Sequence, residues 1–495
     1  MDILTRPARV RFAPSPTGHM HLGSARTALY DYLVAKQSGG QFILRIEDTD
    51  TKRYVPEAEQ ELMDGLRWLG IQYDEGPDVG GPYGPYRQSE RKEIYQEYAK
   101  KMVDSGNAFY CFCTTDRLSE VRNTQMKNKL PIHYDGTCRN IPLEEARGRV
   151  ERGEKHVIRI KSPKEGVTTV RDLIRGEITV QNSTIDDSIL VKSDGWALYH
   201  FAAMVDDFLM KITHVIRGSE WIPSIPLHAL ICRSFGWPEP EWIHLSIFLK
   251  PSGKGKMSKR EDAEAISEGH SIFVKDFKDL GYTPEGVINW IALMGWSYDD
   301  KTEYFTMKDL IEKFSLEKLN PSPAAINFSK LDYFNGLHIR NLSDGDLAAR
   351  LIPFFKKAGI QANIETLVKI APILRDRLPT LDEALPMAGF FFKDTIEYSK
   401  EDLLQKEMSS NDCQNVLEKS REIILNQSSI SKDVLEPELR SYAEGKGLSA
   451  GQVFGTLRVA VTGQRVSPPL FESMEIIGYE KVLKRINNGI QLLAG

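Results

Sequence analysis

Residues 11–24 read Arg11-Phe12-Ala13-Pro14-Ser15-Pro16-Thr17-Gly18-His19-Met20-His21-Leu22-Gly23-Ser24, and residues 256–260 read Lys256-Met257-Ser258-Lys259-Arg260. Val10 and Phe12 alternate with Arg11 as in a short strand, a Pro/Gly loop follows, and Ala25, Leu29, Tyr32 and Leu33 then recur at helical spacing from a start near Ser24. A helix start carries unpartnered backbone N–H groups that favour an anion, and a glycine there lets a ligand approach without a Cβ in its path. His21 and Gly23 therefore stand where a phosphate would be received. Gly253 and Gly255 make the second segment a flexible loop, from which Lys256 and Lys259 can follow phosphate charge as it develops. Read singly, the first stretch is also ordinary strand-to-helix punctuation and the second a solvated basic run. Read together, in this order, they point to a nucleotide-activating site.

The pair resembles the two signature motifs of class I aminoacyl-tRNA synthetases, with Ser24 where many members carry a second histidine. Further blocks resemble bacterial-type glutamyl-tRNA synthetases: Phe42 to Asp50, Gly80 to Ser89, Tyr199-His200 with Val205-Asp206-Asp207, His214 to Gly218 with Glu220-Trp221, and Ser467 to Phe471. The resemblance runs from about residue 9 to the C-terminus.

That resemblance implies ATP with Mg²⁺ bridging its phosphates, L-glutamate as the amino acid and tRNA(Glu) as the acceptor. His21, Lys256 and Lys259 are the implied catalytic groups, and Gly23, Glu220, Trp221 and Ser258 join them around ATP. Glutamate carries two carboxylates and one ammonium, which calls for cationic groups, preferably arginine with its bidentate fork, and one anion. Arg11, Ser15, Glu47, Tyr199 and Arg217 are the implied binders. Structural alternatives stand beside them: an Arg11–Glu47 salt bridge across adjacent strands, and Tyr199 as a core aromatic. Ala203 lies where some relatives have a substrate-contacting asparagine, and Asp206-Asp207 reads as a turn or cap rather than a metal site. Arg375 and Arg377 resemble a segment in which an arginine reads the third anticodon base, or else they cap the helix before them. The reading is a tRNA(Glu)-selective ligase, with a nondiscriminating enzyme that also charges tRNA(Gln) as the alternative.

Composition sets bounds. The 495 residues carry a net charge of −5, which excludes a globally basic nucleic-acid protein and leaves RNA contact to local patches such as residues 111–165, where twelve Lys/Arg face eight Asp/Glu. That stretch reads equally as a salt-bridged helical surface. No run approaches the ~18 apolar residues of a membrane span, the N-terminus lacks a secretory core, and the first motif begins by residue 11. A cytoplasmic monomer with no membrane partner is expected. Cys111, Cys113 and Cys138 have the C-x-C, twenty-four residues, then C spacing of a zinc site found in some relatives. Asn140 stands where those relatives place a histidine, so the expectation is a site without zinc, His133 being the alternative fourth ligand. Cys232 reads as a core residue.

The predicted fold is α/β: a split Rossmann-type catalytic domain with an α+β insertion, followed by all-helical stem-contact and anticodon-binding domains. The catalytic halves take residues 1–88 and 199–242, the acceptor-end insertion 89–198, the stem-contact domain with its Lys/Met/Ser/Lys loop 243–336, and two helical anticodon domains 337–396 and 397–495. Strands predicted at Val10 to Phe12, Phe42 to Ile46, His156 to Ile160 and Ile212 to Ile216 alternate with helices, as a parallel sheet requires. Thr168 to Asp172 and Glu177 to Val180 add strands in the insertion, and Pro321, Pro323, Pro372, Pro379 and Pro386 divide the helical region. A nucleotidyltransferase of the same superfamily would not need that region, and a noncatalytic regulator would be expected to have lost His21 or the lysines.

Overall fold

The computed structural model describes residues 6–49, 55–257, 270–427 and 430–494. Two compact units emerge, Met1–Asp276 with Val287–Phe328, and Phe277–Gly286 with Ser329–Gly495.

In the first unit, β1 (Arg9–Phe12) lies parallel to β2 (Gln41–Leu44), with Arg9 opposite Gln41 and Phe12 opposite Leu44. Parallel neighbours need a crossover, and α1 (Leu22–Ser38) supplies it. It starts at Leu22 rather than near Ser24 because His21 is the cap, and it ends at Gly39, whose φ of 66° is the left-handed conformation glycine adopts freely.

The predicted strand at His156 to Ile160 forms as β4 (Val157–Ile160) but outside any parallel sheet. It runs antiparallel between β3 (Ala108–Cys111) and β7 (Ile189–Val191). Its apolar partners come from the same inserted stretch, so Ile158 and Ile160 are buried locally beside Ala108. The hairpin of β5 (Val167–Asp172) and β6 (Gly176–Gln181) behaves differently: β5 meets β9 (Glu241–Leu245) in parallel with Asp172 opposite Trp242. β9 in turn pairs in parallel with β8 (His214–Gly218), which places this hairpin, carried by the insertion in sequence, in the same sheet as β8 and β9. Thr213 ties β8 to β1, its N–H donating to the Arg9 carbonyl and its Oγ1 accepting from the Arg9 N–H, both at 2.8 Å.

One network holds these elements together. Asp206 and Asp207 lie in α3 (Tyr199–Leu209), which follows α2 (Lys92–Asp104) among the helices of the first unit. The predicted turn or cap role is wrong for both: they are buried acceptors inside a helix. Asp207 Oδ1 accepts from Arg11 Nε at 3.0 Å and from Arg45 Nη1 at 2.6 Å. Asp206 accepts from Arg91 Nε (2.7 Å), Gln88 Nε2 (2.9 Å) and the Tyr95 hydroxyl (2.8 Å). Guanidiniums taken out of water need such anions, and α3 brings two adjacent ones to strand β1, the end of β2 and the start of α2.

The second unit is helical, with no strand among its described residues. Leu347, Leu351 and Phe355 are buried on Asp344–Lys357. Pro372 does not divide helices but sits inside Ile364–Leu374, and Pro386 inside Ala384–Ala388. Pro372 forgoes one hydrogen bond, to the Val368 carbonyl, and the helix ends two residues later. No described helix is long and apolar enough to cross a membrane.

Asp206→Ala removes the acceptor of three buried donors and strands the Arg91 charge, so it should destabilise the fold by about 3–5 kcal/mol in denaturant unfolding.

Candidate active site

A cleft of about 920 Å³ in the first unit is lined by ten of the residues predicted from sequence: Arg11, Ser15, His21, Gly23, Glu47, Tyr199, Arg217, Glu220, Trp221 and Lys256. Ser258 and Lys259 lie outside the described residues.

His21 has the extended backbone of a helix cap, φ −96° and ψ 165°, and its Nδ1 accepts from the N–H groups of Gly23 (3.0 Å) and Ser24 (3.3 Å). An imidazole that accepts at Nδ1 carries its proton, when neutral, on Nε2. The helix start thus fixes the tautomer and makes Nε2 the donor, 3.4 Å from Ser24 Oγ in a ring that lines the cleft. Gly23 serves this arrangement directly: a Cβ there would lie 2.9 Å from His21 Cε1, closer than such atoms approach. The sequence reading gave Gly23 to the nucleotide alone.

Below the cleft the charges are paired. The predicted Arg11–Glu47 bridge does not form; Arg11 takes Asp207, and Glu47 Oε1 accepts from Arg45 Nη2 at 3.0 Å. Burial works against ionised Asp207, yet Arg11 and Arg45 overcome it and hold its pKa below the ordinary value. For Glu47 burial wins, and its pKa is raised despite Arg45 and Arg11. Asp31 is fully buried, neither carboxylate oxygen has a hydrogen-bond partner among the described residues, and burial raises its pKa well above the usual range against the pull of Arg11. Arg11 and Arg45 are therefore offset by Asp207 and Glu47.

Among the described residues no carboxylate pairs with Arg217. Its Nε lies 2.9 Å from His244 Nε2 and its Nη1 3.2 Å from His228 Nδ1, and its buried Nη2 makes no hydrogen bond among the described residues. Burial lowers its pKa against the pull of Tyr199. Tyr199 packs on Trp221 with ring centroids 4.5 Å apart, and burial followed by the Glu47 charge pushes its hydroxyl up to about 12. At the rim, the Met257 N–H donates to the Phe248 carbonyl (2.9 Å) and the Lys250 N–H to that of Gly255 (3.2 Å), a turn that brings Lys256 Nζ within 3.6 Å of Glu220 Oε1. Arg26, on α1, lays its guanidinium 4.0 Å from the Phe248 ring and donates to the carbonyls of Met294 (3.0 Å) and Ser246, fixing one wall.

Sequence reasoning missed Arg26, Arg45, Asp207, His228 and His244. Arginines beside strand-like apolar runs were the available signal, because each needs a buried anion or carbonyl. Ala203 is fully buried and does not line the cleft. Asp206 and Asp207 are committed to arginines and offer no open cation site.

Elsewhere in the first unit, the sulfurs of Cys111, Cys113 and Cys138 lie within 4.8 Å of one another. The hydroxyl of Tyr134, and not a histidine, sits among them, 3.5 Å from Cys111 Sγ and 3.6 Å from Cys113 Sγ, and it accepts from the Cys138 N–H at 2.7 Å. His133, the alternative fourth ligand, is exposed and bonded to Gln125 through its backbone, so it does not complete the set, and Asn140 is exposed too. Burial pushes the Cys113 thiol up to about 11. Cys232 is buried in α4 (Ile225–Phe235), as expected of a core residue. In the second unit, Arg375 pairs with Asp344, while Arg377 Nη1 reaches the Ser467 carbonyl only at 3.4 Å. Arg375 is also the C-cap of Ile364–Leu374, its backbone N–H donating to the Ala371 carbonyl, so the predicted cap role holds for it and not for Arg377.

A parallel sheet with an imidazole-capped helix start and a lysine loop at one cleft defines the catalytic fold of class I tRNA synthetases. Residues 7–333 match the family described as tRNA synthetases class I (E and Q), catalytic domain, and residues 346–490 match an anticodon binding domain. The chain belongs to the glutamate–tRNA ligase family of that class. It is 43% identical over 485 residues to the glutamate–tRNA ligase of Borreliella burgdorferi, covering 97% of each chain. It is also 43% identical over 507 residues to that of Chloroflexus aurantiacus, covering 100% of this chain and 99% of the relative. A crystal structure of a glutamate tRNA ligase from Elizabethkingia meningosepticum, in complex with its amino acid, superposes with a TM-score of 0.89 at 37% identity, covering 99% of this chain and 100% of that one.

Gly23→Ala should displace the His21 ring and lower the turnover of aminoacylation by roughly ten- to a hundredfold, the scale of a misplaced catalytic group, with the melting temperature little changed. Steady-state kinetics beside thermal unfolding check this.

Proposed function

We propose that this chain ligates L-glutamate to tRNA(Glu) in two ATP-dependent steps. The α-carboxylate of glutamate attacks the α-phosphorus of ATP to give glutamyl-adenylate and pyrophosphate. A ribose hydroxyl of the terminal adenosine of the tRNA then attacks the acyl carbon and releases AMP. No protein nucleophile takes part; alignment and donors aimed at growing charge do the work. The Nε2–H of His21 is such a donor, Lys256 and Lys259 are the cations that follow the phosphates, and Gly23, Glu220, Trp221 and Ser258 bound the nucleotide. Mg²⁺ enters on the phosphates of ATP, since the acidic pair of α3 is occupied by arginines.

The observation that carries the choice of amino acid is the charge pattern of the cleft. Arg217 is a buried cation with no carboxylate partner among the described residues, suited to a side-chain carboxylate, while Arg11, Ser15 and Tyr199 border the same space and Glu47 offers an anion to the ammonium. A glutamine amide would leave that charge unanswered. The second unit supports anticodon reading by Arg377, whose guanidinium is less engaged than that of Arg375. We assign residues 1–88 with 199–242 to catalysis, 89–198 to the acceptor end, 243–336 to the stem and 337–396 with 397–495 to the anticodon. The protein works as a cytoplasmic monomer. The cysteine cluster is read as a hydrogen-bonded thiol group without zinc, since a tyrosine hydroxyl is a donor that structural zinc sites do not use.

Aminoacylation with labelled glutamate or glutamine on tRNA(Glu) and tRNA(Gln) transcripts should show glutamate preferred by several powers of ten, because an amide leaves a buried charge unpaired. Comparable rates with the two amino acids would defeat the assignment. Charging of tRNA(Gln) at the rate of tRNA(Glu) would replace the selective reading with a nondiscriminating one. Metal analysis of protein purified without chelator should find no stoichiometric zinc, and zinc lost on Cys111→Ser would overturn the thiol reading.

A further inference from the structure

Arg217 is held by two neutral imidazoles, and the proton of each is placed by a further group, Asp172 for His244 and His200 for His228. A guanidinium only donates, so His244 Nε2, 2.9 Å from Arg217 Nε, presents its lone pair. The proton of His244 is then on Nδ1, which donates to Asp172 Oδ2 at 2.7 Å. Asp172 is itself fixed: its Oδ1 accepts from the backbone N–H groups of Ile174 and Arg175, both at 2.9 Å. On the other side His228 accepts from Arg217 at Nδ1 and donates from Nε2 to His200 Nδ1 at 2.8 Å. Asp172, His244 and His228 are each 0–1% exposed, so water cannot substitute for any of these partners.

The choice of imidazole has a consequence for selectivity. Had a carboxylate gripped Arg217, as Asp207 grips Arg11, its charge would be cancelled and an amide would suit the site nearly as well as a carboxylate. Imidazole acceptors fix the guanidinium plane and leave the charge whole. We infer that Asp172 and His244 are positioning residues for glutamate recognition, acting through the tautomer of His244 to orient Arg217 with its full charge toward the substrate side chain. The inference rests on the glutamate reading of the cleft.

Asp172→Asn tests it with almost no change of volume. The two backbone donors keep the amide oxygen where Oδ1 was, so the NH₂ faces His244 Nδ1. His244 must then accept there and carry its proton on Nε2, against the Nε–H of Arg217. Losing a hydrogen bond to a charged group in this way should raise KM for glutamate about tenfold or more in tRNA aminoacylation, with KM for ATP and kcat within about twofold. A second pair separates positioning from general damage. His244→Asn retains an amide near Asp172 but not near Arg217, whereas the amide of His244→Gln reaches the former Nε2 position and should recover most of the affinity. An unchanged glutamate KM in Asp172→Asn, equal behaviour of His244→Asn and His244→Gln, or an ATP KM that rises in parallel would overturn the inference. Failure of the unmodified protein to charge glutamate would instead strike the functional reading beneath it.

Discussion

Two adjacent carboxylates of one helix, Asp206 and Asp207, answer three buried guanidiniums that arrive from β1, the end of β2 and the start of α2. Arg11 and Arg45 stand 196 and 162 positions before Asp207, so helix α3 ties together segments that lie far apart in the chain. Removing a single member leaves a charge in a dry interior, a far larger penalty than the loss of one surface pair. The cleft inherits its geometry from this lock, because Arg11 and Glu47 are both held by groups that belong to it.

The same network explains how a deeply polar site keeps selectivity. Carboxylates neutralise the arginines that build the floor, and imidazoles restrain the arginine that is left charged. Burial raises the pKa of Asp31, a buried acid whose oxygens have no hydrogen-bond partner among the described residues, well above the usual range. Donors and acceptors held in place before a ligand arrives lower the reorganisation needed when substrate charge enters.

Local features of the sequence proved legible where chemistry and chain neighbours coincide. The loop to His21, the glycine at 23 and the helix behind them form one continuous segment, and ten predicted residues do meet at one cleft. Pairings between distant segments were not legible. Asp206-Asp207 looks like a turn because adjacent acids are usually solvated, and only the positions of Arg11, Arg45 and Arg91 in space reveal otherwise. Strand β4 has the same apolar pattern as a parallel strand, since alternation reports burial and not direction. His244 and Asp172 are seventy-two positions apart, each unremarkable in its own strand, and nothing short of the parallel contact of β5 with β9 joins them. The proline rule failed at Pro372 because composition does not tell how close a residue stands to the end of its helix.

The imidazole at the start of α1 is at once a helix cap and part of the cleft. Histidine is an indifferent helix cap, and asparagine or aspartate would accept the same two backbone N–H groups at least as well. A substitution at position 21 that steadied the helix would therefore delete the donor that faces the cleft. Selection for thermal robustness and selection for turnover pull this one position in opposite directions, so gains in stability within the family must be sought away from the start of α1.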